Sequence, residues 1–279
     1  MGFGSMRLTV DPDGDTAVRV LRHAVELGVD HIDTAAFYFS PGGILGVGDA
    51  PVRYATELIR CALHPYAGKV LIGTKVGPGV LPDGRWGEAR TAAELRYQVE
   101  ENLRRLGVDC LDLVNLRVFR GTDSIGERFA ALAKMRDEGL SRHLGLSAVR
   151  LGQVDEASAI APVTCVQNSF ALDLRRSADL LRVCGERGIA FVPFFAIAGA
   201  GREAGPSGER DDAVARVAAR HGITPHQVRL AWTLHQGPHV LAIPGTGREK
   251  HLRANIAAGA VRLSDDDVAE LQPITAPNG

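Results

Sequence analysis

The sequence lacks the features that would indicate an oxidising compartment or a strongly charged partner. Its 279 residues include only four cysteines, which are widely spaced and form no C-x-x-C pair. This pattern predicts free thiols in a reducing cytoplasm rather than a disulfide framework. A formal net charge of -1 gives neither a basic surface for nucleic acid nor an acidic tail for a basic partner. We expect a small-molecule partner instead.

Membrane-directing segments are also missing from the sequence. The N-terminal residues contain no basic stretch followed by an apolar segment, so they do not resemble a signal peptide. No apolar run reaches the roughly 18 residues that would predict a membrane span. Apolar residues make up 45% and charged residues 23% of the chain, values typical of a globular protein with a buried core. We therefore expect residues 1–279 to form one cytoplasmic domain, as a monomer or a small homo-oligomer.

Short apolar segments alternate with amphipathic segments along the whole chain. They are too apolar to alternate residue by residue, as expected for strands that are covered on both faces. The amphipathic segments have helical spacing and end at glycines, and Thr91 and Glu94 form the pattern of a helix capping box. The predicted strands are residues 2–6, 31–35, 70–76, 111–116, 143–148, 164–168, 190–195 and 240–245. The predicted helices are residues 16–28, 91–107, 124–139, 177–188, 211–222 and 225–237.

Eight strands separated by helices can form either a closed barrel or a doubly wound open sheet. The open sheet of a dinucleotide-binding protein predicts G-x-G-x-x-G directly after a strand. The best match, Gly199-x-Gly201, has Ala204 where the third glycine is required. The chain length is also close to the roughly 250 residues typical of a (β/α)8 barrel. The sequence therefore predicts an α/β fold of the (β/α)8 TIM-barrel type.

Three chemically active side chains lie at the ends of neighbouring predicted strands. Asp33 ends the second strand, Tyr38 follows five residues later, and Lys75 ends the third strand. In a barrel the chemistry gathers at these carboxyl ends of the strands. Buried Asp and Lys side chains have to pair, and a phenol beside an ammonium group loses its proton more easily. The spacing alone fits a general acid or base at Tyr38 and equally fits a structural ion pair with a packing tyrosine.

The segment HIDTAAFY followed by LIGTKVG resembles the signature of the aldo-keto reductase family, whose catalytic tetrad is Asp, Tyr, Lys and His. The resemblance implies that Asp33, Tyr38 and Lys75 are the first three members of this tetrad. It covers nearly the whole chain, because LRRLGVDCLDLVNL, LGLSAV, CVQN, FVPFF and IPGTGREKHLRANIAA agree in the same order. The NLR and VPFF variants are most similar to a bacterial subgroup that includes a pyridoxal reductase.

The resemblance also implies NADPH, bound across the top of the barrel without a Rossmann motif. Ser147 and Gln167 match the positions that hold the nicotinamide carboxamide, and Phe194 matches the aromatic residue that stacks on the nicotinamide ring. The positions expected to contact the phosphates and adenine are Pro244, Gly245, Thr246, Arg248, Lys250, His251 and Asn255.

Three of these cofactor positions are basic and lie where a helix begins. Cations at a helix start are electrostatically unfavourable unless an anion lies beside them. The 2′-phosphate of NADPH would be such an anion, which favours NADPH over NADH. A solvated basic turn is the alternative interpretation of the same residues.

The fourth tetrad position departs from the family pattern. Counting from Asp112, the expected histidine position is occupied by Arg117. Arginine can donate a hydrogen bond to a carbonyl oxygen and stabilise its developing charge, but it cannot relay a proton. We expect Arg117, with help from Asn115, to orient and polarise the carbonyl. Binding of an acid or phosphate group of the substrate is the alternative role for Arg117.

Loop aromatic residues are the candidates for the walls of a substrate pocket. Trp86, Phe119 and Phe39 follow predicted strands, whereas Trp232 belongs to a helical repeat and is expected in the core. Residues 39–51 are rich in glycine and proline and form either a lid or a passive insertion.

These features together predict the NADPH-dependent reduction of an aldehyde or ketone to an alcohol. Three alternatives stay open from the sequence. Lys75 could form a Schiff base, the chain could be a cofactor-binding regulator with little turnover, or it could reduce a C=N bond in a biosynthetic pathway.

Overall fold

The computed structural model of the chain describes residues 1–10, 13–43, 51–66, 70–119, 124–197 and 210–271. Its strands are β1 (Phe3–Gly4), β2 (His31–Asp33), β3 (Phe39–Ser40), β4 (Arg53–Tyr54), β5 (Leu71–Val76), β6 (Pro78–Val80), β7 (Trp86–Glu88), β8 (Leu111–Arg117), β9 (Ser141–Ser147), β10 (Cys165–Gln167) and β11 (Ala190–Phe191). Its helices are α1 (Gly14–Glu26), α2 (Ala55–Leu63), α3 (Ala92–Leu106), α4 (Gly126–Asp137), α5 (Leu151–Ser158), α6 (Ala178–Glu186), α7 (Arg210–His221), α8 (Pro225–His235), α9 (Glu249–Ala257) and α10 (Asp265–Leu271).

The main sheet is parallel and curls into a barrel. Seven of the strands pair in the order β1-β2-β5-β8-β9-β10-β11. The predicted eighth strand closes the ring between β11 and β1. The Leu241 amide donates to the Phe191 carbonyl at 2.9 Å, and the Gly2 amide donates to the Ala242 carbonyl at 2.9 Å. The prediction of an α/β barrel is therefore confirmed.

Two glycines permit the close approach that closes the barrel. A Cβ atom on Gly4 would lie 2.6 Å from the carbonyl oxygen of Ile243, and a Cβ atom on Gly245 would collide with the carbonyl oxygen of Gly4. Any side chain at either position would push the first and last strands apart. This seam also carries Gly245 to the barrel mouth, where the resemblance places a cofactor.

The helices cover the outside of the barrel and form most of the core with it. Inside the ring, Leu113, Cys165 and Val192 pack together with the partly buried Leu241 and Ile243. Such a filled interior is the usual arrangement in an eight-stranded barrel, so the chemistry is confined to the mouth. In the described ranges no helix is long and apolar enough to cross a membrane.

Local capping explains where the predicted helices begin and end. The Thr91 side chain accepts from the Glu94 amide, and the Glu94 side chain accepts from the Thr91 amide, which confirms the predicted box at α3. Five of the predicted helices end at a glycine that has a left-handed backbone in the structure, namely Gly28, Gly107, Gly139, Gly188 and Gly222.

Several elements were not predicted. They are α2, α5, α10 and two antiparallel hairpins, β3–β4 and β6–β7, and the hairpins lie outside the main sheet. Of the segment 39–51, residues 39 and 40 form β3, while residues 44–50 lie outside the described residues, so its function as a lid stays untested. Trp232 is buried as expected, with its ring stacked 5.6 Å from that of Phe170.

Candidate active site

A buried ion pair lies at the mouth of the barrel, where β2 and β5 end side by side. The Lys75 ammonium group donates to both carboxylate oxygens of Asp33 at 2.7 Å and to the Thr34 carbonyl at 2.9 Å. Both charged side chains are almost completely buried. Burial lowers the pKa of Lys75, but the charge of Asp33 and the contact with Tyr38 outweigh this effect and raise the pKa above its usual value. Lys75 is therefore a permanent cation.

Tyr38 lies directly against this cation. The Lys75 nitrogen is 4.6 Å from the centre of the Tyr38 ring, and only 8% of the tyrosine is exposed. The Phe37 ring meets it edge-on at 5.2 Å. The backbone of Tyr38 is held by bonds to Ala35 and to Ala55 at the start of α2. The phenol is thus fixed beside a positive charge that stabilises its deprotonated form as a proton leaves.

Gln167 connects a predicted cofactor position to the ion pair. Its side-chain nitrogen donates to Asp33 at 2.7 Å from the far side of the barrel. Its side-chain oxygen is buried and has no hydrogen-bond partner within the described part of the chain. A buried acceptor without a partner is costly unless a ligand donates to it. The nicotinamide carboxamide, whose nitrogen is a donor, fits this requirement.

Arg117 and Ser147 lie on the opposite side of the mouth. Arg117 and Ser147 are register partners in β8 and β9, and the arginine Nη1 donates to the serine hydroxyl at 3.0 Å. The guanidinium carbon is 5.2 Å from the centre of the Phe194 ring. The structure thus brings Arg117 next to two positions that the resemblance assigns to nicotinamide binding.

Two strained backbone positions directly follow those cofactor positions. Ala148 has a φ of 58° and follows Ser147, while Phe195 has a φ of 64° and follows Phe194. Left-handed conformations are unfavourable for residues other than glycine and concentrate at functional sites. The chain turns sharply here, and the Asn168 side chain holds the turn by bonds to the backbone of Val149 at 2.8 and 3.0 Å.

The basic residues after the last strand lie on an exposed helix start. Arg248 precedes α9, while Lys250 and His251 are exposed in its first turn beside Glu249. The Thr246 hydroxyl accepts from the Arg248 amide at 3.1 Å. Thr246 and Asn255 are buried. The start of α9 and the cations of Arg248 and Lys250 lie together at this point, which is the electrostatic arrangement that suits a phosphate group.

Aromatic side chains form one wall of the mouth. The Trp86 ring is 6.4 Å from that of Phe37 and 6.1 Å from that of Phe39. Trp86 is 43% exposed and Phe119 is 44% exposed. Phe37 was not predicted, although it adjoins Tyr38 in the run FYF. Its burial depends on the β6–β7 hairpin, which the sequence pattern did not indicate.

Asn115 is the register partner of Lys75 on the neighbouring strand. Its side chain is completely buried and its oxygen accepts from the Cys165 thiol at 3.2 Å, so its expected help in orienting the carbonyl stays a prediction. His31 lies on β2, two residues before Asp33. Burial lowers the pKa of His31 and the charge of Lys75 lowers it further, against the opposing effect of Asp33. His31 is therefore a neutral interior side chain.

Gln98 is a supporting residue that the sequence did not reveal. It lies on α3 and is buried, and it bonds both the amide and the carbonyl of Gly77 at 2.7 and 3.1 Å. These bonds fix the chain directly after Lys75. A cavity of about 110 Å³ lies beside Lys75 and Gln98 and extends to Arg105. No pattern in the sequence distinguishes Gln98 from the other polar residues of α3.

The fold and these side chains define a reductase of the barrel type, and comparison with known proteins identifies the family. Residues 1–276 match the family model described as the Aldo/keto reductase family. The chain therefore belongs to this family, an oxidoreductase class, as the motifs suggested.

Individual relatives cover almost the whole chain. The pyridoxine 4-dehydrogenase of Escherichia coli is 38% identical over 99% of this chain and 94% of its own length. An uncharacterised oxidoreductase of Schizosaccharomyces pombe is 35% identical over 97% of this chain and 85% of its own. An aldo-keto reductase from Klebsiella pneumoniae, solved in complex with NADPH, has a TM-score of 0.79 at 27% identity and covers 99% of this chain and 91% of its own. The first relative matches the bacterial subgroup expected from the sequence.

Proposed function

We propose that this protein reduces an aldehyde or ketone to the alcohol with NADPH, and that Tyr38 gives the proton to the carbonyl oxygen. The observation that carries the proposal is the contact between Tyr38 and the buried Asp33–Lys75 pair at the barrel mouth. In this contact a positive charge stabilises the phenolate that remains when Tyr38 gives up its proton.

NADPH is the cofactor that fits the residues at the mouth. The unpartnered oxygen of Gln167 and the Ser147 hydroxyl would hold the carboxamide, and Phe194 would support the flat ring. Arg248, Lys250 and His251 would bind the 2′-phosphate, which NADH lacks. When bound, NADPH supplies the hydride. The K. pneumoniae relative was solved with this cofactor.

The proton at the reacting oxygen is handled by the chain itself. Tyr38 donates it, Lys75 stabilises the phenolate that remains, and Asp33 keeps Lys75 in place. Arg117 polarises the carbonyl as a fixed cation. Since an arginine does not deprotonate, it cannot pass on a proton as the family histidine does. Tyr38 and Lys75 therefore carry the proton transfer alone.

Competing functions agree less well with the site. A Schiff-base lysine has to lose its proton, whereas the pKa of Lys75 is raised by Asp33 and Tyr38 against the effect of burial. A regulator with little turnover does not require a phenol fixed against a cation. Reduction of a C=N bond would use the same hydride and proton positions, so the choice of substrate decides this alternative.

The substrate candidate with specific support is pyridoxal. The E. coli relative that is 38% identical is named as acting on pyridoxine at its 4-position, and pyridoxal is the corresponding aldehyde. The aromatic wall formed by Trp86, Phe37 and Phe39 suits a flat ring of this size.

The setting of the reaction follows from the composition and the cysteines. We place the protein in the cytoplasm, because all four cysteines are free and two of them, Cys165 and Cys184, are buried. We treat residues 1–279 as one domain that acts as a monomer or small homo-oligomer on a small molecule, without nucleic acid.

A panel of substrates tests the proposed function. Oxidation of NADPH and of NADH is followed with aliphatic aldehydes, ketones, benzaldehydes, pyridoxal and cyclic imines. We expect NADPH oxidation with at least one aldehyde, and a higher kcat/KM with NADPH than with NADH. NADPH binding without turnover on every carbonyl would favour the regulator, and turnover of imines alone would favour C=N reduction.

A further inference from the structure

Arg117 carries a positive charge that no carboxylate of the described residues neutralises. Its one protein hydrogen-bond partner among those residues is the Ser147 hydroxyl, at 3.0 Å. The carboxylate of Asp33 is occupied by Lys75 and Gln167. That of Glu88 accepts from the Arg128 side chain at 2.8 Å and from the Phe119 backbone amide at 3.2 Å. A half-buried cation without a protein anion requires one from a ligand.

The guanidinium group limits the shape of that anion. Arginine presents five N–H donors in a rigid plane, and the bond to Ser147 uses one of them. The remaining donors can bind two oxygen atoms that lie side by side. When Arg117 bonds the reacting carbonyl oxygen, a second oxygen two carbons away from the carbonyl carbon comes within reach of the same plane.

The rest of the mouth favours an aromatic ring on which these two oxygens lie. Trp86 contacts Phe37 and Phe39 on the wall of the mouth. Large exposed aromatic residues such as Trp86 are enriched where flat apolar ligands bind.

We infer that Arg117 selects aromatic aldehydes with an ionised hydroxyl group ortho to the aldehyde group on the ring. The guanidinium group binds the carbonyl oxygen and the phenolate oxygen together, and the aromatic wall contacts the ring. The inference rests on the proposed function and names its substrate class. Pyridoxal belongs to that class because its ring hydroxyl is adjacent to the aldehyde.

A kinetic comparison tests the selection. The kcat/KM values for 2-hydroxybenzaldehyde and 4-hydroxybenzaldehyde are measured with NADPH for the wild type, Arg117→Met and Arg117→Gln. Within one enzyme, the ratio of the two kcat/KM values cancels any loss of catalysis that affects both aldehydes equally. Comparing this ratio between a variant and the wild type cancels the difference in intrinsic reactivity between the two aldehydes. We expect the 2-hydroxy to 4-hydroxy ratio to fall about tenfold to a hundredfold in both variants, the range for a hydrogen bond to a charged group. A ratio within about twofold of the wild type overturns the inference.

A spectroscopic titration tests the same contact without turnover or substitution. 2-Hydroxybenzaldehyde is bound to the wild type saturated with NADP⁺, which cannot reduce it, and the phenol absorbance is followed against pH. We expect the bound phenol to ionise about one pH unit or more below the free compound, because a cation lies beside it. The 4-hydroxy isomer serves as the control and should shift much less. An unshifted 2-hydroxy titration overturns the inference.

The two experiments separate this inference from the proposed function. If the wild type reduces 4-hydroxybenzaldehyde and shows no 2-hydroxy selectivity, the proposed function stands and the inference fails. If no aldehyde is reduced but the 2-hydroxy phenol is shifted on binding, the inference stands and the proposed function fails.

Discussion

Gln167 and Lys75 both donate to the Oδ1 atom of Asp33, each at a distance of 2.7 Å. The two donors approach from different strands, so the carboxylate joins the proposed cofactor position of Gln167 to the cation beside Tyr38. In the proposed mechanism, cofactor binding and proton transfer therefore share one fixed side chain.

Replacing Gln167 with Met should impair both processes. The variant loses the donor to Asp33 and the acceptor for the carboxamide. We expect the Kd for NADPH to rise about tenfold, because the buried carboxamide donor loses its acceptor, and kcat to fall about tenfold, because a hydrogen bond to the charged Asp33 is lost. Fluorescence titration with NADPH and steady-state kinetics give the two values. Gln236→Met, at the C-terminal end of α8, is the control, and equal effects in both variants would contradict the link.

The buried ion pair should show strong coupling in stability. Lys75→Met leaves the Asp33 charge buried without its cation, and we expect a loss of about 3–5 kcal/mol in the free energy of unfolding. The double variant Asp33→Asn with Lys75→Met should recover most of this loss, since no uncompensated charge remains and the amide oxygen introduced at position 33 would still accept from Gln167. Urea unfolding measures the wild type, both single variants and the double variant.

Activity should not follow stability in that series. The double variant lacks the cation beside Tyr38, so we expect its kcat to stay as low as that of Lys75→Met. A double variant that is stable and also active would show that the pair has only a structural role.

The acid stability of the protein should depend on His31. Burial lowers its folded pKa below the ordinary value of 6.5, so the unfolded chain binds the proton more readily. The free energy of unfolding should therefore decrease as the pH falls from about 6.5 towards the folded pKa. In His31→Leu this part of the slope should disappear. Urea titrations at a series of pH values measure it, with the exposed His143→Gln as the control. An unchanged slope in His31→Leu would contradict the burial effect.

Replacing Trp86 should change substrate binding, whereas replacing Trp232 should change stability. Trp86 is exposed at the mouth, whereas Trp232 is 1% exposed and stacks on Phe170. We expect Trp86→Ala to raise KM for aromatic aldehydes a few-fold to about tenfold, while the free energy of unfolding changes by only about 0.5 kcal/mol. Trp232→Ala should cost about 3–5 kcal/mol in that free energy. Thermal unfolding and kinetics on both variants measure these effects, and a KM unchanged by Trp86→Ala would remove Trp86 from the substrate pocket.

The sequence predicted the parts of this molecule that depend on local patterns. Apolar runs separated by amphipathic segments predicted the barrel, and the capping box of Thr91 and Glu94 predicted the start of α3. The contact between Asp33 and Lys75 followed because parallel neighbouring strands end at the same edge of a sheet.

The remaining features depend on contacts that only the closed barrel creates. Gln167 and Asp33 are 134 residues apart in the chain, so no spacing rule predicts their bond. The same holds for Gln98, which supports Gly77 from a helix. Asn115 lies two residues before Arg117 on β8, so alternation predicts that both side chains share one face of the strand. Its complete burial beside Cys165 depends on packing inside the closed barrel, which the pattern does not show.

The most direct test of Tyr38 as the proton donor is the variant Tyr38→Phe, which keeps the ring and removes only the hydroxyl group. Its kcat with NADPH is measured on the best aldehyde of the panel, together with its Kd for NADPH. We predict that kcat falls by at least about a hundredfold, the contribution of a general acid, while the Kd for NADPH changes little. A kcat equal to that of the wild type would contradict the role of Tyr38.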